Sequence, residues 1–209
     1  MGQAFKDLNV RRESIVVSTK VFKCSPTGLN DTMMSRKHIV EGLKNSLKRL
    51  QMDYVDVVYS HRPDYETSLE ECCAAMNYVI EQGLAFYWGT SEWTAPRIAA
   101  AIGICEKNGW HKPVVEQPQY HMLKREKFEN EFHYIIQDFK YGSTIWSPVA
   151  QGILTGKYND GTAPDGSRFE KDGNAATFQR YFGEGKKEST VKMLGQLAEL
   201  AKKQGCTQA

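Results

Sequence analysis

An α/β fold built on a parallel sheet is predicted by three observations. Runs of strand character alternate with segments of helical period, at a spacing of roughly 30 to 40 residues, which is the signature of βαβ units. The runs Ile15-Val-Val-Ser-Thr-Lys20 and Val55-Asp-Val-Val-Tyr-Ser-His61 start from apolar residues of the kind a sheet buries. Each then ends on a polar or ionisable residue, and in (β/α) barrels the C-terminal ends of the strands are where chemistry takes place.

The elements follow in order. Ile15-Val-Val-Ser-Thr-Lys20 delivers a lysine, and a loop with Pro26-Thr-Gly28 comes next. Ser35 is placed to cap a helix whose apolar stripe is Ile39, Val40, Leu43, Leu47 and Leu50, with Lys37, Glu41, Lys44 and Lys48 facing away. Val55-Asp-Val-Val-Tyr-Ser-His61 delivers a histidine. Ser68-Leu-Glu-Glu71 reads as a capping box, and the stripe it opens is Leu69, Cys72, Cys73, Met76, Val79 and Ile80, with Gly83 suited to the position just past the helix. Ala85-Phe-Tyr-Trp-Gly-Thr-Ser91 ends in small polar residues, and a third helix runs from Thr94-Ala-Pro96 to Asn108-Gly109. Val114-Val-Glu-Gln117 ends in an amide, a fourth helix carries Phe128, Phe132, Ile135, Ile136 and Phe139, and Ser143-Thr-Ile-Trp-Ser147 ends in an indole and a hydroxyl. The segment 152–188, rich in Gly, Asp and Lys, has no sustained period and is expected to be a long functional loop. A last helix spans about Thr190 to Lys203, with Val191, Leu194, Leu197 and Ala201 turned inward.

Composition narrows the partners. A chain of 209 residues buries a sizeable core as one domain, and a formal net charge of +2 gives no reason to expect nucleic acid or an anionic membrane. No window approaches a transmembrane span, and the first residues show neither a signal-peptide pattern nor a good myristoylation match. Cys24, Cys72, Cys73, Cys105 and Cys206 lack C-x-x-C spacing and read as reduced structural cysteines of a cytoplasmic protein. His38, His111, His121 and His133 lack metal-ligand spacing, so no metal is expected. A Gly-x-Gly-x-x-Gly fingerprint is missing, which disfavours a Rossmann domain.

The ordered motifs Val17-Ser-Thr-Lys20, Asp53-Tyr-Val-Asp56, His61-Arg-Pro-Asp64, Tyr87-Trp-Gly-Thr-Ser91, Glu116-Gln-Pro118, Trp146-Ser-Pro148 and Thr155-Gly-Lys-Tyr158 resemble the aldo-keto reductase superfamily across nearly the whole chain. Within it they are most similar to the branch containing the β subunits of voltage-gated potassium channels and their plant and fungal relatives. The resemblance implies a (β/α)8 barrel reducing aldehydes or ketones with NADP(H). It also implies roles by position. Lys20 matches the lysine that lowers the pKa of a catalytic tyrosine, and His61 the histidine that orients the substrate carbonyl. Ser91 and Gln117 match the groups that bind the nicotinamide carboxamide, and Trp146 the ring that stacks on the nicotinamide. Ser147, Pro148, Val149 and Gln151, with Lys157 and Arg168 in the segment that follows, match the pyrophosphate-clasping region. For the channel-subunit branch it implies a homotetramer docked on the cytoplasmic domain of a potassium channel.

Departures from the pattern are equally specific. The family's catalytic tyrosine and its aspartate partner are expected before Met1, and the strand and helix that bind the adenosine 2′-phosphate after Ala209. The 209 residues thus correspond to about strands three to seven of eight, a single incomplete domain expected to be inactive alone and to leave two strand edges unpaired. NADP is not separated from NAD by what remains. Animal channel subunits carry Asn where this chain has His61 and a basic residue where it has Glu92, and Gly166 replaces an aromatic near Arg168.

Overall fold

The structure is a computed structural model and describes residues 1–23, 28, 30–171 and 175–209. Cys24 and most of the expected Pro26-Thr-Gly28 loop lie outside the described residues. By their internal contacts the described residues form two compact units, Met1–Gln119 with Glu126–Trp146, and Tyr120–Arg125 with Ser147–Ala209.

The first unit is a five-stranded parallel sheet in sequential order, β1 (Ser18–Val21), β2 (Val55–Ser60), β3 (Ala85–Ser91), β4 (Val115–Gln117) and β5 (Gly142–Ser143). A short helix, α1 (Gly2–Asp7), leads in, and α2 (Arg36–Leu50), α3 (Leu69–Glu81) and α4 (Ala95–Asn108) are the crossovers between strands, with α3 packed between the other two. Sequential parallel strands joined by helices are the arrangement of a (β/α) barrel, here five strands of one. Register aligns Lys20 with Tyr59, Tyr59 with Gly89, and Ser91 with Gln117, so these residues share one face. Val21, Val58 and Trp88 alternate to the other face and join the helix stripes in one core, with Ile39, Leu43, Met76 and Ile98 fully buried.

The helices begin and end where the side chains direct. Ser35 Oγ accepts from the His38 N–H at 3.2 Å, and Ser68 Oγ from the Glu71 N–H at 3.1 Å. The expected capping box is only half closed, because Glu71 Oε1 accepts from the Arg36 N–H at 3.0 Å and ties α3 to the start of α2. α4 stops at Gly109, whose φ of 67° is left-handed.

Two expectations need correction in this unit. The fourth helix is not continuous: a π-helical turn, Lys127–Glu131, precedes α5 (His133–Phe139). The wider turn brings Glu131 Oε1 to 2.7 Å from the Ala95 N–H, capping α4 where Thr94 makes no side-chain cap. The fifth strand is shorter and earlier than Ser143–Ser147. Pro118 of the neighbouring segment has no N–H to give, so the ladder lapses and resumes as one parallel bridge, Gln119 to Trp146.

The second unit overturns the expected loop at 152–188. A 3-10 turn (Ala150–Thr155), α6 (Arg168–Lys171), α7 (Ala175–Phe182) and the start of α8 (Lys187–Lys203) lie within or across it. Its own core holds Ile153, Leu154, Tyr158, Phe169, Phe182 and Leu194. Aromatic rings link these short helices: Tyr158 to Phe169 at 5.1 Å, Phe169 to Phe178 at 5.6 Å and Phe178 to Phe182 at 4.6 Å between centroids. Helices this short cannot sustain a period over a long stretch of sequence, and their stability rests on these contacts.

Candidate functional site

The C-terminal strand ends of the first unit bring together Lys20, His61, Ser91 and Gln117. Lys20 Nζ donates to Gln117 Oε1, across 97 residues of sequence, and Gln117 Nε2 donates to Thr144 Oγ1 at 3.2 Å. Ser91 Oγ donates to the Gln117 carbonyl at 3.0 Å. Arg62 Nη1 donates to the His61 carbonyl at 2.7 Å and to Ser91 Oγ at 3.3 Å, so one guanidinium spans the ends of β2 and β3.

This cationic mouth sets the protonation states. Partial burial, then Arg62, lowers the Lys20 pKa from its ordinary 10.5. Partial burial, then Arg62 and Lys20, lowers that of His61, which favours the neutral imidazole near pH 7. Behind them, Glu116 is 2% exposed and its carboxyl is pushed up to about 7, chiefly by burial. Its Oε2 accepts from Thr90 Oγ1, which also meets the Tyr141 hydroxyl at 2.9 Å, and its Oε1 accepts from the Trp93 N–H at 3.2 Å.

Trp146 is held at the same end. Its indole N–H donates to Glu92 Oε1 at 2.8 Å, and that oxygen also accepts from the Gln119 N–H at 2.6 Å. Trp88, by contrast, is fully buried and donates its indole N–H to the His111 carbonyl at 2.7 Å, a core role. A cavity of about 380 Å³ lined by Phe5, Val10, Ile15 and Met52 sits at the opposite, N-terminal ends of the strands, away from these groups.

Ser147, Pro148, Val149, Gln151, Lys157 and Arg168 belong to the second unit. Ser147, Ala150 and Gln151 all have left-handed φ, at 57°, 50° and 58°, giving a tight double turn closed by Ala150 N–H to the Ser147 carbonyl and Gly152 N–H to the Val149 carbonyl, both at 2.9 Å. Lys157 and Arg168 are exposed, and the Lys157 ammonium lies 5.2 Å from the Tyr158 ring centroid.

Sequence reasoning missed Arg62 and Thr144 as site members. Arg62 stood in the His61-Arg-Pro-Asp64 motif, but only the sheet register shows that it bridges two strand ends. Among the described residues no group of three His, Cys, Asp or Glu could hold a metal ion, and no helix is long and apolar enough to cross a membrane.

A parallel sheet of sequential strands that gathers an ammonium, an imidazole, a carboxamide and an indole at its C-terminal end defines an α/β protein with the strand arrangement of a partial (β/α) barrel. Residues 1–209 match the profile of the Aldo/keto reductase family, and the chain belongs to that family. Among curated proteins it is 56% identical over 169 residues to an Arabidopsis thaliana protein named "Probable voltage-gated potassium channel subunit beta", covering 81% of this chain and 51% of that one. A like-named Oryza sativa subsp. japonica protein is 54% identical over the same length, with the same coverage. A Schizosaccharomyces pombe protein whose name assigns it to the same kind of subunit is 45% identical over 208 residues, 99% of this chain and 60% of its own. The chain thus spans 51% to 60% of the length of these relatives.

The nicotinamide cofactors used across this family suit the residues present. Gln117 offers one donor and one acceptor to a carboxamide, now engaged by Thr144 and Lys20, and Trp146 has its N–H tied down, which fixes the plane of its ring. In the second unit, Gln151 Oε1 and Ser167 Oγ are buried without a hydrogen-bond partner among the described residues; a ribose hydroxyl could donate to the first, and the second could donate to a phosphate oxygen.

Proposed function

We propose that the chain is the cofactor-facing part of an NADP(H)-dependent reductase of aldehyde or ketone carbonyls, working in the cytoplasm. The observation that carries this reading is the hydrogen-bonded set Lys20–Gln117–Ser91–Arg62 at one sheet end, with neutral His61 and the anchored Trp146 beside it. Ser91 and Gln117 would hold the nicotinamide carboxamide and Trp146 the ring face. Ser147, Pro148, Val149, Gln151, Lys157 and Arg168 would hold the pyrophosphate. A bound reduced nicotinamide supplies the hydride.

His61 orients the carbonyl by donating a hydrogen bond to its oxygen, which polarises the carbon toward attack. Lys20, its pKa lowered by burial and then by Arg62, would stabilise negative charge developing on the tyrosine-type proton donor that the resemblance pairs with it. Among the described residues its ammonium is engaged by the Gln117 amide, and the 209 residues alone are expected to turn over carbonyl substrates at a negligible rate. The test is cofactor titration of the purified chain, read by quenching of Trp146 emission against a Trp146→Phe control, alongside an assay of NADPH oxidation with simple aldehydes. Quenching that requires Trp146 supports the reading, and no binding of NADPH or NADP+ sinks it.

A second reading takes up the names of the plant relatives, which say potassium channel β subunit and no more: a regulatory subunit, for which the resemblance to that branch implies NADP(H) binding, a homotetramer and docking on the cytoplasmic domain of a channel. Retention of His61 speaks for the enzyme, because imidazole both donates to and exchanges protons with a carbonyl oxygen near neutral pH. A tetramer that co-purifies with a channel domain and does not oxidise NADPH with aldehydes would favour the subunit.

A further inference from the structure

Glu92 sits one residue beyond β3 with φ of 59°, a left-handed conformation that costs a non-glycine residue about 1 kcal/mol or more. Its side chain accounts for the strain. Oε1 accepts from the Trp146 indole N–H at 2.8 Å and from the Gln119 N–H at 2.6 Å, while Oε2 faces Lys127 Nζ at 3.6 Å. All four residues lie in the first unit, and all these groups are shielded in part: the Glu92 and Lys127 side chains are 19% and 21% exposed. A carboxylate that accepts from an indole N–H pushes electron density into the ring, and the face of that ring becomes a better partner for a cation.

The two forms of a nicotinamide differ in this respect. The oxidised ring carries a full positive charge and the reduced dihydro ring is neutral. We propose that Glu92 is a positioning residue that orients Trp146 and, through its negative charge, biases the site toward the oxidised cofactor. This inference rests on the nicotinamide reading above. Glu92 does not touch the cofactor in it; the charge acts through the indole and through space. Lys127 offsets part of that charge, yet replacing Glu92 by an amide still changes the local charge by one unit and leaves an oxygen able to accept from Trp146.

The experiment measures Kd for NADP+ and for NADPH with the full 209-residue chain by titration calorimetry, in the wild type, Glu92→Gln and Lys127→Gln. A structural role alone would move both constants together. The inference expects the ratio Kd(NADP+)/Kd(NADPH) to rise at least threefold in Glu92→Gln and to fall in Lys127→Gln. If Glu92→Gln does not fold by circular dichroism, the Lys127→Gln ratio decides. Cofactor binding with ratios unchanged overturns the role of Glu92 and leaves the nicotinamide site standing. Failure of both cofactors to bind the wild type overturns the site reading, and this inference with it.

Discussion

The Tyr59 hydroxyl lies 2.8 Å from the Thr144 hydroxyl, linking β2 to the segment after β5 across the face of the sheet that carries Lys20 and Gln117. The ring passes over β3 at Gly89, the strand position between them. A Cβ built there would stand 2.4 Å from the Val115 carbonyl oxygen and 2.9 Å from Tyr59 Cε1. The first of these is backbone and cannot turn aside. Gly89→Ala is therefore expected to cost about 1–3 kcal/mol or more, the usual penalty of overpacking. Urea denaturation of the two proteins checks it, and an unchanged midpoint would contradict the close approach.

Glu116 predicts a stability that depends on pH in an unusual direction for a carboxyl. Burial raises its pKa from 4.5 to about 7, so the folded state holds a proton that the unfolded state releases. Its contribution is fully present below about pH 4.5, is lost as pH rises toward 7, and is level above. A shift of that size corresponds to about 3 kcal/mol. Glu116→Gln imitates the protonated group and can still meet Thr90 and Trp93. The variant should gain stability over the wild type at pH 8 and lose the difference by pH 4.5, as followed by thermal melts across pH.

His61 should titrate below 6.5, since burial first and then Arg62 and Lys20 disfavour its charged form. Because the folded pKa is depressed, the neutral ring contributes stability above pH 6.5 that is withdrawn as pH falls. Proton NMR of the imidazole gives the midpoint directly. Arg62→Gln should move it upward, and a midpoint at or above 6.5 in the wild type would show that the mouth is neither dry nor cationic enough to hold the ring neutral.

Asp64, 2% exposed, acts as a hub for backbone donors. Its Oδ2 accepts from the Met34 N–H at 2.8 Å, and Oδ1 from the N–H groups of Glu66 at 2.8 Å and Thr67 at 3.2 Å. Burial opposes the charge, but a bond from the Thr67 side chain and then these backbone bonds more than offset it, and the pKa falls below 3.8. Asp64→Asn turns an NH2 toward backbone donors and should cost about 1–3 kcal/mol, visible as a lower melting temperature at pH 7. Acid should narrow the gap, because protonation of Asp64 removes the same acceptor from the wild type.

Much of the fold was legible because its signals are local. Ser35, Ser68 and Gly109 mark helix ends by bonds or φ values that span a few residues, and the stripe of Ile39, Leu43 and Leu47 reports burial through helical period alone. The places where the reading failed depend on partners far along the chain. Glu131 caps α4 from a π-turn 36 residues away, Pro118 interrupts the strand beside it, and the rings of Tyr158, Phe169 and Phe178 join a turn and two helices too short to sustain a period into one core. The site followed the same division. Lys20, His61, Ser91, Gln117 and Trp146 were each picked out by position at a strand end and by motif, whereas Arg62 and Thr144 became visible only as bonded neighbours.

By itself the amino-acid order determined the alternation of strand and helix, the apolar stripes and the family to which the chain belongs, since each is written in side-chain spacing within one element or motif. The tertiary structure decided what those side chains do to one another. Lys20 reaches the amide of Gln117, Glu92 holds the indole of Trp146, and Glu116 retains its proton near neutrality, because burial and strand register, which no local spacing encodes, set the distances and the dielectric in which charges act.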